Sequence, residues 1–513
     1  MRKLMNMRDL VGPLLLAFGL TFLTRSIWEW YKAPQTDVGF VAPLSKVEQE
    51  PLYVEVDFDD AQKAIEEVKQ VVKTDFASYE FSNHGACVTQ LDLLRNKGDD
   101  QTFTTISHPS DAQKENRAFL VALDQKTPYY YTLSEQTEDD TTIKIVYTAA
   151  NQMATIEKTF IVYKNRHELG FQLSVMPKKG QSVRTRVLWP SPYLEIIKDE
   201  DAISALSVDK SGAFVKTVAQ KLNERAGFFA PVIFGAQNKY FIHSMVNDTH
   251  KFAQRAYYKV VNHQIISFLE STVITEPTAW TLNFYMGPKE LAAITPVSKS
   301  LEGALEYGFF SPIAKGMLYL LNLCNKYFHN YGFAILFITL LLKLVLLPFT
   351  FSGQQKMKKM QEYQKKLAYI QQRYKHNPEE LAQAREELIK KHGLPGLGGC
   401  LPLLLQIPFF VGLYSALNNS IELYRAPFIF WINDLSMPDQ YYVLPFLIAM
   451  SAFLGSVAGQ TDKIDFKQVF TAFAIAIFLG AWTANIAAGL ALFIFANAFL
   501  HVIQTKTQQV LGL

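Results

Sequence analysis

The sequence predicts an all-β sandwich joined to a bundle of membrane-spanning α-helices, and three observations predict it. Between about Pro51 and Pro288, apolar and polar residues alternate in short runs. Beyond Lys326 come long stretches with almost no charge, apart from one basic block. One of those stretches carries a lone lysine, Lys343, near its middle. At 513 residues the chain is long for a single domain. Its 49% hydrophobic and 19% charged residues would suit an ordinary soluble protein, but that average conceals a partition. Charges concentrate before Lys326 and between Lys356 and Lys391. A net charge of +3 gives no reason to expect a nucleic-acid partner.

The first apolar segment runs from about Leu10 to Ile27, with Arg2, Lys3 and Arg8 before it and Trp28, Trp30 and Tyr31 after it. No pair of small residues of the cleavage type follows between Thr24 and Lys32, so it reads as an uncleaved signal anchor. The next region alternates with a period of two at Thr142–Tyr147, Ala154–Tyr163, Gly170–Met176, Val183–Leu188, Gln264–Thr275 and Thr278–Met286. Asn165, Gly180, Pro190 and Gly287 punctuate those runs, which is the signature of a many-stranded antiparallel sandwich. Trp189 and Trp280 read as core or rim aromatics. Ser298–Tyr331 is amphipathic, with Leu301, Leu305, Phe309, Ile313, Met317 and Leu321 at helical spacing and a break at Ser311-Pro312. It reads as a helix in the outer membrane interface, or as a helix packed under the β domain.

Five further spans follow: Gly332–Phe349, about Gly399–Asn418, Tyr441–Gly459, Val469–Ala484 and Ile486–Gln504. Asn485 and Gly489 mark the turn between the last two. Between the second and third spans Met357, Met360, Tyr363, Leu367, Ile370 and Tyr374 form a helical stripe. Asn377-Pro378-Glu379-Glu380 then restarts a helix with a cap, a proline and acids at its positive end. This predicts a charged helical hairpin. Its basic excess, like that of the N-terminus, belongs in the cytoplasm by the positive-inside rule. Residues 31–330 then lie outside and both chain ends lie inside.

Lys343 is the candidate functional residue. No charge occurs from Asn330 to Leu342 or from Leu344 to Gln355, so it sits near mid-membrane. A charge there costs about 2.5–3.5 kcal/mol on insertion scales. Twelve residues of helix rise about 18 Å, a long way for an ammonium to reach water. Thr339 lies one turn earlier on the same side. Either the lysine leans to the interface or pairs inside the bundle, or the two residues line a hydrophilic cavity within the membrane. The spans show no second buried ionisable residue and no inverted repeat, which weighs against a secondary transporter using Lys343. The β domain shows no paired carboxylates, nucleophile motif or metal-spaced histidines. His84, His243 and His263 are scattered, which weighs against a carbohydrate-processing role. No enzyme activity and no cofactor are expected. Cys87, Cys324 and Cys400 form no disulfide framework.

Three blocks carry a family resemblance: Gly332-Phe333 through Lys343 to Leu347-Pro348, Gly398 to Pro408, and Ala426-Pro427-Phe428 with Trp431 to Ser436. With Phe81-Ser82-Asn83-His84-Gly85, they make the chain resemble the YidC family of membrane protein insertases in its six-span form. The resemblance implies a multi-domain membrane protein: an all-β supersandwich periplasmic domain plus a transmembrane core of five spans, with an additional N-terminal span. It implies a signal anchor at 1–30, the β domain at 31–297, an interfacial helix at 298–331 and the second span at 332–350. The hairpin is then 351–393, the last four spans 394–505 and a short cytoplasmic tail 506–513. It implies a groove open to cytoplasm and lipid, lined by Lys343, Thr339 and Gln406. It also implies a client slide on the third and fifth spans, assigned to Leu404, Phe409, Leu413, Phe473 and Ile477. Implied partners are nascent membrane proteins, the lipid bilayer, the Sec translocon (SecYEG and SecDF) and a ribosome at the hairpin, in the bacterial inner membrane. Two departures stand out. The turn before the sixth span is Ala487-Ala488-Gly489, and Phe493 and Ile494 replace the tyrosines common early in that span.

Overall fold

In a computed structural model, the structure describes residues 58–59, 65–94, 102–107, 117–124, 127–193, 203–222, 227–261, 264–305, 311–374, 377–392, 401–458 and 466–511. The expected first span, Cys400 and His263 lie outside them. The chain divides into two compact units, Met1–Leu305 and Glu306–Leu513.

The first unit is built of antiparallel sheets of nine, five and four strands, with one short parallel pair. The strands needed below are β1 (Ala77–Ser82) and β2 (Cys87–Leu94) of the four-stranded sheet. The nine-stranded sheet includes β3 (Ala154–Tyr163), β4 (Glu168–Pro177), β6 (Phe241–Asp248) and β8 (Thr278–Pro288). The five-stranded sheet includes β5 (Val183–Pro190) and β7 (Gln264–Ile274). All six alternating runs of the sequence fall on strands, because period-two alternation is what a strand with one buried face requires.

Burial of rings drives the two larger sheets together. Trp189 of β5 meets Phe284 of β8 edge to face at 5.0 Å between centroids. Phe119 touches Phe160, Phe171 and Phe284. Phe160 and Phe171, on the paired strands β3 and β4, complete this core. Both Trp189 and Trp280 are buried. His243 of β6 is fully buried and pins the layers: its Nδ1 lies 3.1 Å from the Pro190 carbonyl and its Nε2 3.2 Å from Thr105 Oγ1. Cys87 is buried and free of any disulfide.

The expected amphipathic segment divides between the units. Leu301 and Ala304 lie in a short turn of helix and are buried with Leu206, Ile233 and Ile294 of the first unit. A separate helix, α1 (Ser311–Phe328), belongs to the second unit, where Ala314, Met317, Leu318, Leu321 and Cys324 form its buried stripe. Ser311-Pro312 lie at the start of this helix as described, a position that suits proline. Cys324 is also free.

The second unit continues with α2 (Tyr331–Arg373), α3 (Pro378–His392), α4 (Leu401–Asn419), α5 (Val443–Ala458), α6 (Phe466–Thr483) and α7 (Ala488–Leu511). Two differences from the sequence reading matter. The second span and the first arm of the hairpin are one continuous 43-residue helix that passes through Pro348. The last span runs on to Leu511, well past the expected Gln504. Proline forfeits one helical hydrogen bond, and membrane helices tolerate that loss. The Asn377 cap is as expected, with its side-chain oxygen 3.5 Å from the Glu380 amide. Helix α7 packs on α5 and α2, while α1 packs on α4 and α2.

Candidate functional site

The site is assembled on α2 and α7 within the second unit. Asn330 starts α2: its Oδ1 accepts from the amides of Gly332 (2.9 Å) and Phe333 (3.2 Å). Its Nδ2 donates to the Phe428 carbonyl at 3.0 Å, tying the helix start to the loop between α4 and α5. Gly332 permits that approach, because a Cβ there would overlap the Phe428 ring. Two turns along, Thr339 is buried and its Oγ1 donates to the Ile335 carbonyl at 2.7 Å. Its hydroxyl proton is thus spent on the helix's own backbone.

Lys343 follows one turn later and is half-buried. Its Nζ donates to Asn497 Oδ1 of α7 at 3.5 Å, the long end of hydrogen bonding. Among the described residues no carboxylate lies within ion-pairing distance of this ammonium. A cation with an amide as its polar neighbour stays available to an incoming anion. Chemically, the arrangement can attract and hold a carboxylate.

The other expected site residues are placed as follows. Gln406 and Phe409 of α4 are half-buried, while Leu413 is fully enclosed. Gly412 beside it runs against Ile313 of α1, where an added Cβ would come within 2.7 Å of Ile313 Cγ2. Phe473 and Ile477 stand one turn apart on α6, both more than half exposed. Leu404 lies in α4, with its side chain outside the described set. Phe493 is buried and packs against Phe410, at 5.9 Å between ring centroids.

Sequence reasoning missed Asn497, although an amide within a charge-free apolar run was a visible signal. It also missed Glu422, buried beside Ser420, whose Oγ donates to Glu422 Oε2 at 2.5 Å. Asn322 of α1 donates to Glu422 Oε1 at 3.2 Å, and Tyr331 donates to Asn322 Oδ1 at 3.4 Å. The loop acids are structural. Asp439 accepts from the Trp431 indole (3.0 Å) and the Leu444 amide (2.7 Å), and Asp434 accepts from Ser436. Among the described residues no cluster of histidine, cysteine and acidic side chains could hold a metal.

Two family descriptions match adjoining parts of the chain: YidC periplasmic domain over residues 69–320 and 60Kd inner membrane protein over residues 323–510. A membrane protein insertase YidC of Geobacter metallireducens is 33% identical over 56% of this chain and 55% of its own length. The Geobacter sulfurreducens protein of the same name is 28% identical over 83% of each chain. The chain thus matches about half the length of the first of these relatives and most of the second. Among solved structures, an active YidC insertase with its first transmembrane domain resolved is 15% identical, covering 88% of this chain and 94% of that one with a TM-score of 0.37.

Proposed function

This chain belongs to the YidC family, and on that premise we propose that it is a membrane protein insertase of the inner membrane. In this reading it has six spans, a periplasmic β domain and both termini in the cytoplasm. The observation that carries the reading is Lys343, an ammonium half-buried between α2 and α7 with only an amide as its hydrogen-bonding neighbour among the described residues.

The physical task is to move a polar segment through hydrocarbon, which is costly because its backbone groups lose their water partners. A groove open to the cytoplasm and lipid would keep those groups hydrated for part of the way. Lys343 would attract an acidic residue of the segment and offset some of its desolvation. A membrane potential positive outside then favours outward movement of that acid by about 2.3 kcal/mol per charge per 100 mV. The client's apolar helix would leave between α4 and α6, across Phe473 and Ile477, and its burial in lipid would supply the net driving force. Gln406 would face the polar side of that path. Clients are nascent membrane proteins, received alone or beside a Sec translocon, with ribosome contact at the charged hairpin.

The test is insertion of a single-span client with an acidic translocated tail into liposomes holding the purified chain, scored by protease protection. Lys343→Leu should lose about tenfold with that client and little with one whose tail is uncharged, while Lys343→Arg should retain activity. Tenfold corresponds to about 1.4 kcal/mol, close to the lower end of what a hydrogen bond to a charged group contributes. Equal loss with both clients would remove the electrostatic step. No protection by the unaltered chain would remove the insertase reading.

A further inference from the structure

The loop between α4 and α5 is bonded to the starts of α2, α5 and α7, yet its aromatic tip is uncovered. Asn330 at the start of α2 donates to the Phe428 carbonyl. At the start of α7, the amides of Ala488 and Gly489 donate to the carbonyls of Met437 (2.7 Å) and Leu435 (2.8 Å). Asp439 is buried and accepts from the amides of Tyr441 (3.0 Å) and Leu444 (2.7 Å) at the start of α5, besides the Trp431 indole. Within the loop, the Phe428 amide donates to the Ile432 carbonyl, the Ile432 amide to that of Ile429 and the Leu435 amide to that of Ala426. Asp434 accepts from the amides of Arg425 and Ser436.

What this frame displays is apolar. From Ala426 to Asn433 the sequence reads Ala-Pro-Phe-Ile-Phe-Trp-Ile-Asn, without a formal charge. Phe430 is 85% exposed, and its ring stacks on that of Trp431 at 6.0 Å between centroids. Tyr441, Tyr442 and Phe446 are each more than half exposed, and Ile429 and Met437 are exposed as well. Phe430 and Tyr442 hold φ angles of 55° and 57°, a left-handed conformation that residues other than glycine rarely adopt. Such strain persists only where the surrounding structure imposes it, and here it accompanies two uncovered rings. A contiguous apolar surface on a rigid frame marks a place of contact.

We propose that this loop is seated in the outer lipid leaflet, with Phe430, Trp431, Tyr441 and Tyr442 among the headgroups and first acyl carbons. Three observations select lipid over water or a protein partner. Tyr442 leads directly into α5, and Phe446 stands one turn further on with its ring exposed, so the patch continues onto a helix wall. The amides named above and the carboxylates of Asp434 and Asp439 are spent within the protein, as groups at the edge of hydrocarbon must be. Tryptophan and tyrosine gather at the bilayer–water boundary, and apolar segments that lie there enter it by about 5–10 Å. The proposal goes beyond the insertase reading and takes from it only that α2, α5 and α7 are spans starting on the outer side. Because the loop is bonded to the first residues of all three, seating it fixes their depth together.

The experiment uses the full chain in liposomes, with Cys87, Cys324 and Cys400 replaced by alanine and one cysteine introduced as Phe430→Cys, Leu454→Cys or Lys210→Cys. Each cysteine carries a fluorophore, and the vesicles hold lipids bearing a nitroxide either at the headgroup or deep in the acyl chain. The label at Phe430→Cys should be quenched about twofold more by the headgroup nitroxide than by the deep one, and should resist iodide supplied on both sides. Leu454→Cys, on the exposed face of α5, should answer to the deep nitroxide, and Lys210→Cys, exposed on the first unit, to iodide alone. Iodide quenching at Phe430→Cys equal to that at Lys210→Cys would overturn the proposal in favour of water. Resistance to iodide without nitroxide quenching would overturn it in favour of a protein cover, whether the β domain or a second copy. A label at Leu454→Cys that no nitroxide reaches would instead strike the membrane reading beneath the proposal. As a readout that keeps all three cysteines, Phe430→Asp should lower the quenching of tryptophan emission by lipids brominated near the headgroup, since Trp431 stacks on Phe430. Unchanged quenching in that variant would overturn the seating of the loop while leaving the insertase reading intact.

Discussion

Two buried histidines and one buried lysine show what single residues contribute. Burial pulls the imidazoles of His243 and His167 down to about 4, from an ordinary 6.5. Both are therefore neutral in the folded chain at pH 6, while the unfolded chain takes up protons below 6.5. Stability is full above pH 6.5 and falls toward pH 4, by about 1.4 kcal/mol per unit for each histidine in that window. Hydrogen exchange along β6 and β8 should report the loss, and His243→Phe should flatten half of it. Lys158 lies within β3 and is fully buried, and burial pulls its ammonium down to about 7. Its three N–H bonds go to the carbonyls of Gly85 (2.6 Å), Ala86 (3.2 Å) and Phe119 (2.9 Å). Ala86 and Phe119 are non-glycine residues with positive φ, 40° and 69°, so the lysine braces two strained turns. Lys158→Met should cost about 1–3 kcal/mol, read from the urea midpoint of the β unit. Alternation already placed Lys158 on one face with Ala154, Ile156, Phe160 and Val162, so its burial was legible. The carbonyls that receive it were not, because they come from turns some 40 to 70 residues away in sequence.

At the scale of elements, strands were easier to read than helix ends. A strand's alternation follows from local burial, so the runs at Ala154–Tyr163 and Val183–Leu188 needed no knowledge of neighbours. Helix limits depend on partners: α7 reaches Leu511 against α5 and α2, and nothing in its own sequence required that. Of the candidate site, Lys343 was legible because a charge in hydrocarbon is costly wherever it packs. Asn497 was not singled out, since only the pairing of α2 with α7 gives it a role. Caps are the exception, being local and chemical. Asn330→Ala would remove two acceptor contacts at the start of α2 and the donor to Phe428, and should lower thermal stability of the helical unit by about 1–2 kcal/mol. A shift no larger than that of an exposed alanine substitution would show that the loop, not the cap, fixes this helix start.

At the scale of the whole molecule, a YidC-family chain joins two units with separate cores. The first rests on aromatic rings between sheets, and the second on helices packed against one another. Calorimetry of the full chain in detergent should therefore give two transitions. His243→Phe should move one and Asn330→Ala the other, whereas a single joint shift would mean one cooperative core. The unbroken length of α2 has a mechanical corollary. Its 43 residues span about 65 Å, roughly twice the hydrocarbon thickness of a bilayer. The basic hairpin arm and the lysine of the site therefore ride on one shaft. A load that tilts or turns the hairpin end is passed along the helix toward Lys343, and Pro348, where a helical hydrogen bond is missing, is the point at which it can bend.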